Sequence, residues 1–343
     1  MTEQHSKMRR EILEIPQVVE RLLQEGAAPA RQAAEAIKAA GPRFGVTVAR
    51  GSSDHVCTYL KYVSELLLGL PVASLGPSVA SIYHAPLRLA DSFCLSVSQS
   101  GQSPDIVAMG RAASEGGAMT VALTNDIASP LAAVSAHTLD IHAGLEQSVA
   151  ATKTFVASAV AGLRLLAEVS GDRDLLKALS RLPADLEKAA QLDWPDMRAA
   201  LTTQTSLFTL GRGPSWAMAN EAALKFKETC QLHAESYSSA EVLHGPVSIV
   251  GAGFPVLAMA AGDAAEEGLA DVADQLAAKG AQVFVTSSRA RAAAPLEFVR
   301  TAHPLADPIS LIVSFYAMVE RLARARGIDP DTPRHLRKVT QTT

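Results

Sequence analysis

Cysteine is almost absent from this chain of 343 residues, with Cys57, Cys94 and Cys230 standing far apart. Three scattered thiols without metal-ligand spacing exclude a disulfide scaffold and fit a reducing cytoplasm. The nine histidines form no pair at helical metal-ligand spacing, so no dedicated metal is expected. Charge is scarce as well. Only 19% of residues are charged and the formal net charge is -4, which leaves no electrostatic case for nucleic acid or an anionic membrane surface. Met1 to Arg10 lacks the apolar run of a signal peptide, and no segment has the length and apolarity of a membrane span. The expectation is a soluble cytoplasmic protein. Gly211-Arg212-Gly213 lacks the third glycine of a dinucleotide fingerprint, because Trp216 holds that place. No nicotinamide or other cofactor is expected.

What is present is ample apolar material. Hydrophobic residues make up 48% of the chain, enough for two domains of ordinary size. Short apolar runs at 46–49, 72–75, 93–97, 120–123 and 138–141 read as strands. Helical patterns at 56–68, 104–114, 130–134 and 152–169 alternate with them. The plan then repeats, with strands expected at 206–210, 247–250, 255–259 and 282–285 and helices at 217–231 and 307–326. Alternating units of this kind predict an α/β fold, with parallel sheets covered by helices on both faces. The expected organisation is an N-terminal helical arm over 1–24, interrupted by Pro16, and a first domain over 25–171. A polar helical linker over 172–197, a second domain over 198–330 and a tail over 331–343 complete it.

The second half opens its helix from a glycine turn and places Glu221, Lys225 and Glu228 at i, i+4 and i+7. A loop carrying His244 follows. From these residues alone two readings stand: a surface helix with an ordinary ion pair, or proton transfer on a phosphorylated substrate. In the first half, Ser98-Gln99-Ser100-Gly101-Gln102-Ser103-Pro104 joins an apolar strand to a helix start. Backbone N–H groups and serine hydroxyls at such a place bind phosphate without a formal cation. A serine-rich cap loop is the plainer alternative, but Gly51-Ser52-Ser53 offers a second hydroxyl-rich turn for the same anion. Ser236, Ser238 and Ser239 read as loop capping. The basic tail carrying Lys338 matters only if it folds back on the site.

This combination resembles the sugar isomerase (SIS) domain family. Within it, the chain is similar to the isomerase half of the glutamine–fructose-6-phosphate aminotransferases and to the SIS-type glucosamine-6-phosphate deaminases. The likeness runs from Met8-Arg9-Arg10-Glu11-Ile12-Leu13-Glu14-Ile15-Pro16 to Pro333-Arg334-His335-Leu336-Arg337-Lys338. It implies two tandem SIS domains, each a three-layer αβα sandwich. The family's phosphate loop falls on Ser98, Gln99, Ser100 and Ser103, and its first turn on Ser52 and Ser53. Its ring-opening histidine falls on His244 and its proton-transfer carboxylate on Glu228. Lys225 matches a lysine lining the sugar site, and Lys338 the tail lysine that forms a Schiff base with the keto sugar. Glu146 and Val149 lie in the family's substrate-contacting stretch. Ala151 stands where a serine is usual, and Arg50 where a small residue is usual.

The resemblance implies a homodimer with shared active sites and a phosphorylated amino sugar as substrate. The sequence opens only a few residues before the isomerase half, so no glutaminase domain is expected to supply ammonia. The expected reaction is therefore the reverse one, conversion of glucosamine 6-phosphate to fructose 6-phosphate and ammonia. Galactosamine 6-phosphate or a glucose–amine adduct is the alternative substrate. A sugar-phosphate-sensing regulator is the non-enzymatic alternative. It would call for a basic recognition segment, and only Lys7, Arg9 and Arg10 precede residue 44 in that role.

Overall fold

The computed structural model describes residues 5–338; the remaining ends of the expected arm and tail, 1–4 and 339–343, lie outside the described residues. The chain forms two compact bodies, each built on one parallel five-stranded sheet. The first body takes Gln17–Glu146 and Lys153–Ser180. The second takes the residues up to Pro16, then Gln147–Thr152 and Arg181–Lys338.

Helices α1 (Lys7–Glu25) and α2 (Ala27–Ala40) lead into β1 (Phe44–Val48), α3 (Ser52–Leu68), β2 (Val72–Ser74), α4 (Ser78–Ser81) and β3 (Ser92–Val97). Then come α5 (Pro104–Glu115), β4 (Met119–Thr124), α6 (Pro130–Ala133), β5 (His137–Asp140), α7 (Lys153–Ser170) and α8 (Arg173–Leu179). The strand order is β2-β1-β3-β4-β5 with every pairing parallel. β3 is buried along its whole length, which is why its sequence is nearly continuous in apolar or small residues. Val46, Cys94, Met109 and Leu131 sit at the heart of that core.

The second body adds α9 (Leu182–Ala189), α10 (Pro195–Leu201), β6 (Ser206–Gly211), α11 (Pro214–Cys230), β7 (His233–Ser238) and β8 (Pro255–Ala258). It closes with α12 (Glu266–Ala278), β9 (Gln282–Val285), β10 (Ala294–Pro295) and α13 (Asp307–Ala325). Its order, β7-β6-β8-β9-β10 when written from the β7 edge, repeats that of the first sheet strand for strand. The repeat reaches backbone detail. Gly51 before α3 has φ 55° and ψ -133°, and Gly213 before α11 has φ 57° and ψ -136°, a conformation that a side chain would strain.

Three sequence expectations are corrected. Residues 247–250, expected as a strand, fall instead in a 3-10 turn, Pro246–Ile249. Pro246 suits the first position of such a turn; Ile249 is 61% exposed while Val250 enters the core and Val247 packs against it, so the run buries its ends without forming a strand. The serines expected in a capping loop, Ser236 and Ser238, lie in β7. β7 is an edge strand with its outer residues exposed, so its sequence is polar and hides its period. Pro16 does not interrupt α1, which continues through it at the loss of one backbone hydrogen bond.

Among the described residues no helix is long and apolar enough to cross a membrane. All three cysteines are buried, and burial pushes the Cys94 and Cys230 thiols up to about 12, leaving them inert.

Candidate active site

In a sheet of order 2-1-3-4-5 the connections leaving strands 1 and 3 diverge to opposite faces, and ligands bind in the crevice between them. In the first body those connections are Arg50–Gly51 leading into Ser52 and Ser53, and the loop 98–103. The two hydroxyl-rich turns picked out in the sequence therefore flank one switch point. The loop is held from within. Ser98 is nearly buried, and its hydroxyl accepts from the Gly101 N–H at 3.1 Å. Ser100 accepts from Gln102 N–H at 3.3 Å. Ser103 occupies the N-cap of α5, and its side chain makes no capping hydrogen bond. Gln99 turns its carbonyl inward to the Asn125 N–H at 3.0 Å.

Gly101 has φ +60°, and a Cβ there would lie 2.6 Å from Ser129 Cβ and collide with its hydroxyl. Gly101→Ala is therefore expected to cost about 1–3 kcal/mol in urea denaturation and to weaken phosphate binding. Unchanged stability and unchanged phosphate affinity would refute this account of the loop.

Arg50 closes the same crevice. Its Nε and Nη2 reach Asp105 Oδ2 at 2.9 and 2.8 Å. The wholly buried Asp105 also accepts from Ile106 N–H at 2.9 Å. A charged fork thus ties the first turn to the start of α5. Sequence reasoning noted Arg50 but missed this partner, since nothing local announces a residue 55 positions on.

In the second body α11 carries the ionisable row. Lys225 is wholly buried, with its ammonium 3.1 Å from Glu221 Oε1 and 2.5 Å from Glu228 Oε2. Glu221 is also wholly buried and accepts from the Tyr316 hydroxyl of α13 at 3.0 Å. Glu228 keeps 19% of its side chain exposed. Burial works to lower the Lys225 pKa, but the two carboxylates more than offset it, and the net direction is upward. A permanently protonated amine is neither base nor nucleophile. Lys225 is thus an anchor, and Glu228 is the one member of the row that faces outward.

His244 lies exposed after the 3-10 turn Glu241–Leu243. No hydrogen bond or ion pair joins it to Glu228 or Lys225 among the described residues. Lys338 donates to the Ser148 carbonyl at 2.7 Å, so the described end of the tail does fold back onto 147–152. The carboxylate of Glu11 in α1 accepts from the N–H groups of Gln147 and Ser148. The segment that carries Val149 is thereby gripped from both sides. Val149 itself is half-buried. Glu146 belongs to the first body, where its carboxylate takes the Thr154 N–H at 3.1 Å and hydroxyl at 2.7 Å. Glu11 lies in the opening segment of the family resemblance, but no role is read for it there, and its long-range partners mark it out.

A family model described as SIS domain matches residues 46–167 and 200–323. A crystal structure of a candidate phosphosugar isomerase from Silicibacter pomeroyi DSS-3 is 66% identical, with a TM-score of 0.93, covering 95% of this chain and 100% of that one. Glutamine–fructose-6-phosphate aminotransferase (isomerising) of Sulfolobus acidocaldarius is 32% identical over 303 residues, covering 85% of this chain and 49% of that one. The chain thus spans about half the length of the curated relatives it matches. Glucosamine-6-phosphate deaminase from Thermotoga maritima shares the fold at a TM-score of 0.79 and 18% identity, covering 98% of this chain and 100% of that one.

Proposed function

Because this chain belongs to the SIS domain family, with the domain present in both halves, we propose that it is an isomerising deaminase of glucosamine 6-phosphate. The observation that carries the reading is the Glu221–Lys225–Glu228 row, in which a buried cation fixes one partly exposed carboxylate. An aldose–ketose shift needs such a group, since a proton must leave one carbon and return to its neighbour.

In this reading the serine hydroxyls and helix N-terminus around Ser98, Ser100 and Ser103, together with Ser52 and Ser53, hold the phosphate. Gln99 keeps the loop in register with its neighbour strand. Remote phosphate binding restrains the open-chain sugar for reaction at the other end. His244 assists ring opening. Glu228 takes the C2 proton, giving an enolamine, and returns it to C1. The product is the C2 imine of fructose 6-phosphate, which water hydrolyses to fructose 6-phosphate and ammonia. Glu146 and Val149 shape the substrate-contacting stretch. A homodimer with shared sites and a cytoplasmic setting belong to the same proposal.

Galactosamine 6-phosphate or a glucose–amine adduct is the second reading. Arg50 gives it little support, because its fork is already matched by Asp105. The decisive assay incubates the protein with each amino-sugar phosphate and follows ammonia and ketose phosphate together. Equimolar release of both from glucosamine 6-phosphate is expected. Interconversion of fructose 6-phosphate and glucose 6-phosphate with no ammonia from any amino sugar would reduce the activity to isomerisation, and no product from any substrate would sink the reading.

Lys338 is the candidate amine for an imine with the keto group of fructose 6-phosphate, formed with loss of water. Borohydride reduction with fructose 6-phosphate present is expected to add one sugar phosphate at Lys338, detected by peptide mass. Lys338→Ala should abolish the adduct. An adduct-free wild type whose turnover survives Lys338→Ala would remove the imine from the mechanism.

A further inference from the structure

A polar cavity lies in the second body at the C-terminal end of α13, and no residue of the Glu228 row lines it. Its volume is about 530 Å³, within the usual range for small-molecule sites. Arg9, Arg198, Arg321 and Arg324 line it, opposed by Asp193 and Glu320. Among the described residues four guanidiniums face two carboxylates there, in a chain whose net charge is -4.

The carboxylates are already engaged. Asp193 takes Arg198 Nη2 at 2.9 Å and lies 3.6 Å from Arg321 Nη1. Glu320, only 1% exposed, accepts from the Ser6 hydroxyl at 2.7 Å. Arg9 is the group left over. It is 6% exposed, and its Nη1 finds no hydrogen-bond partner among the described residues. Burial and then the charge of Arg321 lower its pKa, while Glu320 and Asp193 work the other way. Leaving a buried charged donor unsatisfied costs about 1–3 kcal/mol or more. The C-terminal dipole of α13 opposes an anion there, but it amounts to only roughly half a charge.

We propose that this cavity binds the phosphate monoester of a small sugar or polyol, with Arg9 as the buried donor and Arg324 at the rim. A phosphate dianion complements a cluster in which arginines outnumber carboxylates, and the volume exceeds what phosphate alone would fill. Arginine is the side chain suited to that geometry, since its fork meets two phosphate oxygens at once. This site is independent of the Ser98 loop. Occupancy bears on α13, whose Tyr316 also holds Glu221.

The test is calorimetric titration of the whole chain with sorbitol 6-phosphate, which lacks a carbonyl and an amine and cannot turn over. Inorganic phosphate is the second probe. A Ser98→Ala/Ser100→Ala variant, crippled in the loop site, should still bind one sorbitol 6-phosphate per chain. In that background Arg9→Gln should weaken binding by about tenfold or more, and Arg324→Gln by several-fold. If Arg9→Gln fails to fold, the exposed Arg324 decides the matter alone. No binding in the loop variant, or unaltered affinity in the arginine variants, overturns the site. Inorganic phosphate binding as tightly as the monoester overturns the sugar part of the assignment. None of these outcomes depends on whether the protein releases ammonia.

Discussion

Glu228→Gln is expected to lower turnover of glucosamine 6-phosphate by roughly 10²–10⁴-fold, the range that a positioned acid–base group contributes. Glutamine keeps the size of the side chain and an oxygen for Lys225, but it cannot take up and return a proton. The loop 98–103 proposed to hold the phosphate lies in the other body and is untouched, so KM should move far less than kcat. The same variant should lose exchange of the sugar's C2 hydrogen with deuterated water, read by proton NMR. Turnover within threefold of wild type would remove Glu228 from the proton path. Loss of both activity and native stability would mean that the side chain is chiefly structural.

Lys225→Met is expected to destabilise the protein by about 3–5 kcal/mol, because it strands the buried Glu221 carboxylate and loosens Glu228. The pH dependence has a definite sign. The folded-state pKa of Lys225 is raised, so its stabilisation is fully present below the ordinary lysine value near pH 10.4 and is lost as pH rises through the folded one. The difference between wild type and variant should therefore stay level from neutral pH to about pH 10 and shrink only above it. Urea titrations across that range measure it. A loss below about 1 kcal/mol would show that the ion pairs merely offset the cost of burying them.

The fold was legible because each parallel strand is buried on both faces and therefore announces itself as an apolar run. β9 was placed to the residue, and β1, β3, β4 and β8 to within one or two at their ends. β7 failed because an edge strand has little to bury, and 247–250 failed because a four-residue apolar run carries no period. The site was legible in part. Gly51, Gly101 and Gly213 mark turns by local backbone need, and Glu221, Lys225 and Glu228 share a face by helical spacing alone. Whether that face was buried could not be read from spacing, since Tyr316, which decides it for Glu221, lies 95 residues on. Asp105 for Arg50 and Glu11 for Ser148 are partners of the same long-range kind.

Asp331 accepts hydrogen bonds from the backbone N–H groups of Lys7 at 2.7 Å and Met8 at 2.9 Å, and Ser6 reaches Glu320. The opening turn of α1 is thus capped from the far end of the chain. On a ribosome adding about 5–20 residues per second, that turn waits tens of seconds for its cap. The described part of the first body, which ends at Ser180, is in hand much earlier. Synthesis order therefore lets the first sheet close while the opening turn of α1 still lacks its cap.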